Sequence, residues 1–343
     1  MRSRVGWMCL VLSTGMFDRS GRAADTLDIY VLDVEGGKAV IVHTPSGQSM
    51  LMDGGYPGQN DRDLKRVLAG AKAAGIAEFD YILITHYDID HAGNIPAISA
   101  QMPVKVFIDH GPIVRNPKLS PMNRKAAEGY LAFVADKKRM SVKPGDVIAM
   151  KDVKITVLTS NEQALSRPVK GAGKPNPACP SARPEPVEMD DNSGSLGELW
   201  EFGRFRMADF GDLLRWVENR LVCPNDQVGP VDLFMVNHHG LPVSNSPELI
   251  AALHPKVAIM ANGERKGAAP EVTKTLRVSA GLQDIWQLHY STSAGKEFNA
   301  PDDYIANLQA QDCQGNWIKV AARRDGSFTV TNTRNNFSKT YKR

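Results

Sequence analysis

The chain reads as an α/β (α+β) protein of αββα type: two sheets packed face to face, helices outside, and a C-terminal β-hairpin appended. Three observations predict this. Strands outnumber helices early in the chain, later strands are mostly each followed by a helix, and ligand-type side chains recur just after strands, so strand ends can form one rim.

The elements follow in order. β-rich runs at 27–34 and 38–43 flank Gly36-Gly37, and a third at 48–52 ends at Asp53-Gly54-Gly55. Pro45-Ser46-Gly47 supplies turn chemistry, so these runs form an antiparallel meander. Asp61 opens an amphipathic helix to about Ala74, with Leu64, Val67, Leu68 and Ala71 at helical spacing and Gly75 as its stop. Strand 81–84 then leads into a polar loop at 85–91. A short helix (95–100), a strand (104–108) ending at Asp109-His110-Gly111, a helix (121–135) and strands near 147–149 and 153–159 come next. Residues 161–195, rich in Pro, Gly, Ser and charge, read as a long surface loop. Strands at 196–202 and 204–208, a helix at 212–221, and a strand at 233–236 running into Asn237-His238-His239-Gly240 follow. A helix (246–253), a strand (257–260) and a helix (270–278) complete a body expected to span 25–300. Runs at 317–322 and 328–331, joined through Arg324-Asp325-Gly326-Ser327, make the hairpin of a 301–343 extension.

With 343 residues, 42% hydrophobic and 23% charged, the composition is that of a globular protein with a sizeable core. Arg2 and Arg4 precede a largely apolar run at 5–17, and small residues end at Ala23-Ala24. That order reads as a signal peptide, residues 1–24, and implies a periplasmic or secreted protein with no transmembrane segment in its mature chain. Without those residues the formal +3 becomes neutral, 37 Lys+Arg against 37 Asp+Glu, so charge gives no nucleic-acid signature. Cys9 leaves with the leader. Cys179, Cys223 and Cys313 have no zinc spacing but allow one disulfide and one free thiol in an oxidising compartment. The oligomeric state is not readable.

Residues 85–91 are Thr-His-Tyr-Asp-Ile-Asp-His. His86, Asp88, Asp90 and His91 place four imidazole or carboxylate groups within six residues, directly after an apolar strand. Such ligands suit zinc, manganese or iron, and a tight turn on a buried strand lets them converge. His110, Asp212, His238 and His239 also follow strands and are further ligand candidates. Asp53 is placed to brace the loop by hydrogen bonds. His43, His254 and His289 have no ligand-type neighbours and receive no role.

These residues resemble the metallo-β-lactamase superfamily of metal-dependent hydrolases, and within it the soluble hydrolase domain of competence (ComEC-like) DNA-uptake proteins. Leu32-Asp33-Val34-Glu35-Gly36-Gly37-Lys38-Ala39 is similar to that family's entry strand, Leu51-Met52-Asp53-Gly54-Gly55 to its Leu-Ile-Asp-x-Gly turn, and 85–91 matches Thr-His-x-Asp-x-Asp-His throughout. Asn192-Ser193-Gly194-Ser195, Phe210-Gly211-Asp212 and Asn237-His238-His239-Gly240 follow in family order, so the likeness runs from about 27 to 290. Glu35-Gly36 and Lys38 replace the usual Gly-Gln and Asp, and Gly267-Ala268-Ala269-Pro270 replaces Gly-His-Pro. These departures count against DNA-nuclease activity and leave the metal core untouched.

The resemblance implies two divalent ions, zinc first and manganese second, about 3.5–4 Å apart and sharing a hydroxide that attacks the substrate. His86 and Asp88 would hold the first and Asp90 and His91 the second, with Asp212 bridging. One of His238 and His239 would face a metal while the other orients it or meets the substrate, and His110 could complete the first site. Asp90 and His239 are the candidate catalytic groups. An acid-rich site points first to a phosphodiester, on a small molecule or an oligonucleotide-like substrate, and then to an ester, lactone or β-lactam. A carboxylate at Asp88, where many members carry His, counts against the β-lactam. A non-catalytic metal-binding scaffold is the rival outside enzymology.

Overall fold

The computed structural model describes residues 25–114, 119–180, 190–309 and 311–343. The expected signal peptide lies outside the described residues. Among those described, no helix is long and apolar enough to cross a membrane.

Strands β1 (Leu27–Val31), β2 (Val40–His43) and β3 (Ser49–Met52) form the expected antiparallel meander. Three crossovers then lay down parallel strands. Helix α1 (Arg62–Ala73) leads to β4 (Phe79–Leu83), α2 (Ile95–Gln101) to β5 (Val104–Asp109), and α3 (Pro121–Val134) to β6 (Arg139–Ser141). The second sheet follows the same plan. β7 (Val147–Met150), β8 (Val153–Ser160), β10 (Gly197–Phe202) and β11 (Phe205–Asp209) are antiparallel, with a short β9 (Gln163–Ala164) on β8. Helices α4 (Arg215–Val222), α5 (Pro247–Leu253) and α6 (Pro270–Arg277) alternate with parallel β12 (Leu233–Met235), β13 (Val257–Met260) and β14 (Asp284–His289). β15 (Ile305–Asn307) closes that edge.

β16 (Ile318–Ala322), β17 (Phe328–Asn332) and β18 (Ser338–Tyr341) return to the first sheet, where β16 pairs with β1. The sheet orders are β18-β17-β16-β1-β2-β3-β4-β5-β6 and β15-β14-β13-β12-β11-β10-β8-β7. The C-terminal hairpin is therefore present, carries a third strand, and continues the first sheet.

Side-chain alternation builds the layers. On β1, Leu27, Ile29 and Val31 enter the core between the sheets, while Tyr30 faces α1–α3. On β13, Val257 and Ile259 face the other sheet and Ala258 and Met260 face α4–α6. Two apolar faces per sheet thus give three cores and four layers, αββα.

Helix α1 begins at Arg62 and buries Val67 and Ala71, as the 3.6-residue spacing predicts. Ser120 and Ser246 cap α3 and α5 by accepting from Asn123 N and Leu249 N. One start differs from expectation. Helix α4 opens at Arg215, not at Asp212, because Gly211 takes φ 56° and turns Asp212 inward instead of into a cap.

Cys179 and Cys223 form a disulfide across 44 residues of chain, and Cys313 is free. The bond ties the loop after β9 to the end of α4. Opening a loop of this size costs roughly 2–4 kcal/mol through the unfolded chain. Cys223→Ser should therefore lower the free energy of urea unfolding by that amount in non-reducing buffer, and an unchanged unfolding free energy would show the tie to be dispensable.

Candidate metal centre

The parallel strands of both sheets end on one rim. Asp53 follows β3, the 85–91 loop follows β4, His110 follows β5, Asp212 follows β11, and the His238-His239 pair follows β12. Ligand groups collecting outside the carboxyl ends of parallel strands are the general pattern of α/β sheets.

Four groups converge there. One donor atom each from Asp90, His91, Asp212 and His239 lies within 4.8 Å of the others, and all four residues are buried. His91 Nε2 is 3.4 Å from Asp90 Oδ2, 3.3 Å from Asp212 Oδ2 and 3.4 Å from His239 Nε2. His239 Nε2 is 3.2 Å from Asp212 Oδ2 and 3.3 Å from Asp90 Oδ2.

His86 lies alongside, its ring centroid 4.0 Å from that of His91. Its Nε2 is buried with no hydrogen-bond partner and stands 3.9 Å from Asp88 Oδ2. Asp212 Oδ1 is likewise buried without a partner. His238 stands at the mouth, its Nε2 3.6 Å from Asp212 and its side chain 13% exposed. His110 lies outside the inner four: its Nε2 meets Asp191 Oδ2 at 3.3 Å, its Nδ1 has no partner, and its ring packs on Tyr87.

The surrounding bonds fix which nitrogen of each ring faces inward. Asp53 accepts from Thr85 N and Thr85 Oγ1, both at 2.8 Å, and from His91 Nδ1 at 2.9 Å. Thr85 Oγ1, its proton given to Asp53, can accept from His86 Nδ1 at 3.2 Å. Ala261 O accepts from His239 Nδ1 at 2.9 Å, and His238 Nδ1 lies 3.1 Å from Ser244 Oγ. With Nδ1 committed, the Nε2 lone pairs of His86, His91 and His239 are presented to the site. The bracing expected of Asp53 is therefore what its contacts show. Gly211 permits the sheets to close here, since a Cβ on it would lie 2.7 Å from Thr85 Cβ.

Electrostatics follow from crowding. Burial works to raise the Asp90 and Asp212 carboxyls, but His91 and Lys266 beside Asp90, and His239 and His91 beside Asp212, hold both well below the usual range. Burial would lower His91, yet Asp212, Asp53 and Asp90 carry it well above the ordinary imidazole value. Asp88 lacks such partners, and burial followed by the Asp90 charge pushes it up to about 8. Burial and His91 push His86 down to about 3.

The donor set fits divalent cations. It combines imidazole nitrogens with carboxylates, has no thiolate, and leaves His86 Nε2 and Asp212 Oδ1 buried without a protein partner. Several carboxylates gathered in a dry pocket demand positive charge.

Four residues that sequence reading passed over hold partners in and around this rim. Asp191, from the stretch taken as surface loop, sits in a buried turn and receives Tyr87 N at 2.6 Å and Val114 N at 3.0 Å while holding His110. Lys266 reaches Asp90 Oδ2. Lys38 spans from the first sheet to Asp209 of the second, both buried, with Glu198 beside them. His289, given no role from sequence, binds Asp33 at 2.7 Å.

Comparison with known proteins agrees with this geometry. Residues 32–162 match the family model of the metallo-beta-lactamase superfamily. Over that stretch the chain is similar to the metallo-β-lactamase superfamily. A 194-residue stretch is 29% identical to ComE operon protein 3 of Bacillus subtilis (strain 168), covering 56% of this chain and 21% of that protein. The chain thus spans about a fifth of the length of the curated relative it matches. Among solved structures it is similar to the metallo-β-lactamase fold protein YhfI from Bacillus subtilis (12% identity, 76% of this chain and 96% of that one, TM-score 0.46). It is also similar to MEM-A1, a subclass B3 metallo-β-lactamase from a soil metagenome library (14% identity, 76% and 84%, TM-score 0.38). The 85–91 loop lies inside the matched region, and Asp212 and the histidine pair lie outside it.

The Lys38–Asp209 pair holds the two halves of this rim together. Removing one partner of a buried ion pair leaves the other charge uncompensated, at a cost of about 3–5 kcal/mol. Lys38→Met should lose that much stability in urea unfolding, whereas Lys319→Met, at the half-exposed pair with Asp28, should lose under about 1 kcal/mol. Equal losses would deny Lys38 its special place.

Proposed function

We propose that the chain is a metal-dependent hydrolase with a dinuclear centre, acting on a phosphodiester in the periplasm or outside the cell. The observation that carries this reading is the convergence of Asp90, His91, Asp212 and His239 beside the unpartnered Nε2 of His86 and Oδ1 of Asp212. Asp90, His91, His239 and one oxygen of Asp212 would hold one ion. His86, Asp88 and the other oxygen of Asp212 would hold the second, with His110 as a further ligand. Each ion would meet two imidazoles and two carboxylates, a set that suits zinc and tolerates manganese.

When bound, the ions supply electrophilic polarisation of the scissile group and a water acidic enough to attack near neutral pH. The chain's residues do the rest. Asp53 and Thr85 hold the imidazoles in one tautomer, so no reorientation is needed during reaction. Asp90, at the edge of the cluster, would orient the attacking water or shuttle its proton. His238, partly exposed and tied to Ser244, faces the side from which substrate enters and meets charge developing on the leaving oxygen. A carboxylate-rich centre makes for hard cations, which favours phosphoryl oxygens over the softer groups.

The test is turnover of bis-p-nitrophenyl phosphate with metal content measured in parallel. Asp90→Ala and His91→Ala should each lose about 100-fold or more, and chelation should abolish activity until zinc or manganese is restored. Two exchangeable ions per chain are expected. Full activity in a metal-free preparation would overturn the reading.

A further inference from the structure

Lys266 lies on the loop between β13 and α6, and that loop is clamped on three sides. Gly263 N donates to Lys266 O at 2.9 Å, Ala268 N to His239 O at 2.9 Å, and Ala269 N to Gly240 O at 2.9 Å. Gly267 sits so tightly that a Cβ on it would fall 2.0 Å from His239 O. On the other side the Lys266 stem packs on Gly36, whose Cβ position lies 3.0 Å from Lys266 Cβ. The backbone is therefore fixed to the histidine turn and to the entry loop, and the stem is directed along the rim to the mouth of the site.

At the mouth the ammonium touches Asp90 Oδ2 and lies 5.9 Å from the centroid of the Tyr56 ring. The side chain remains 32% exposed. An ammonium has three N–H donors, and one carboxylate oxygen does not use them all. Asp90 also belongs to the group that would hold a cation, so its charge is divided between that cation and Lys266. What is left over is a positive charge with unused N–H donors, fixed at the edge of the cluster on a side chain that stays partly exposed.

We propose that Lys266, backed by Tyr56, is an anion subsite that takes a non-bridging oxygen of a monoanionic phosphodiester and selects it over neutral esters. The inference rests on the metal-dependent hydrolase reading, and it names the substrate charge that reading leaves open. A lysine that merely shores up Asp90 would give no such selection.

Two measurements on the metal-loaded, full chain test it. The first is the ratio of kcat/KM for bis-p-nitrophenyl phosphate to that for its neutral methyl triester, in wild type, Lys266→Met and Lys266→Arg. The second is the affinity for inorganic phosphate by calorimetry, with metal content confirmed in each variant. In Lys266→Met the ratio and the phosphate affinity should each fall about 10- to 100-fold, the worth of a charge-assisted hydrogen bond, and Lys266→Arg should recover most of both. A phosphate affinity unmoved in Lys266→Met, or no phosphate binding by wild type, overturns the subsite. Equal losses on diester and triester, leaving the ratio unmoved, overturn the selection. If wild type turns over neither ester while phosphate affinity still falls in Lys266→Met and recovers in Lys266→Arg, the subsite stands and the hydrolase reading fails.

Discussion

The site exists only where the rims of the two packed sheets are held together, and one buried ion pair spans that junction. Lys38 leaves the entry loop of the first sheet and ends on Asp209 at the last residue of β11. Its backbone is equally engaged: Lys38 N donates to Asp90 O, and Gly55 N donates to Lys38 O. One residue thus connects the ligand loop, the Asp53 turn and the strand that delivers Asp212. The surrounding charge makes the cation necessary. Asp53, Glu198 and Asp209 are all buried within its field. His91 compensates Asp53, and Lys38 compensates Asp209. Glu198 has no hydrogen-bond partner at either oxygen, and burial with the neighbouring Asp209 drives it well up, toward the neutral acid.

From this tie the ligand geometry follows by short links. Asp53 collects Thr85 and His91, Thr85 reaches His86, and Gly211 lets the second sheet approach Thr85 closely enough for Asp212 to enter the cluster. Each link is either a buried hydrogen bond or a contact with no room for a side chain. Preorganisation here is therefore a property of two sheets, since neither alone contains Asp90, His91, Asp212 and His239 together.

How much of this was legible in the sequence depended on range. The meander, α1, and the 85–91 loop announce themselves because alternation, 3.6-residue spacing and ligand clustering are local signals. β6, β14, β15 and β18 did not: β6 and β15 are three residues each, and β14 mixes Asp284, Gln287 and His289 into its apolar run. The ligand types were readable, but their supports were not. Asp191 meets Tyr87 across 104 residues, Lys38 meets Asp209 across 171, and Lys266 meets Asp90 across 176. No local pattern encodes partners at such separations. Lys38 and the Gly267-Ala268-Ala269-Pro270 stretch were visible only as departures from a family pattern. The fold gives both departures a place, at the junction and beside the mouth.

Adjacent histidines could not have been told apart without the backbone. His238 and His239 both adopt left-handed conformations, φ 51° and 56°, which non-glycine residues enter at a cost of about 1–3 kcal/mol each. Their turn is secured by His238 N donating to Gly211 O, Leu241 N donating to His238 O, and the two ring contacts with Ser244 and Ala261. Two successive residues in this conformation project their side chains in different directions. His239 therefore goes inward to Asp90 and Asp212, and His238 goes outward to the rim. The strained turn separates a group buried among the carboxylates from one that a substrate can touch, and an extended or helical dipeptide at this point would not place both.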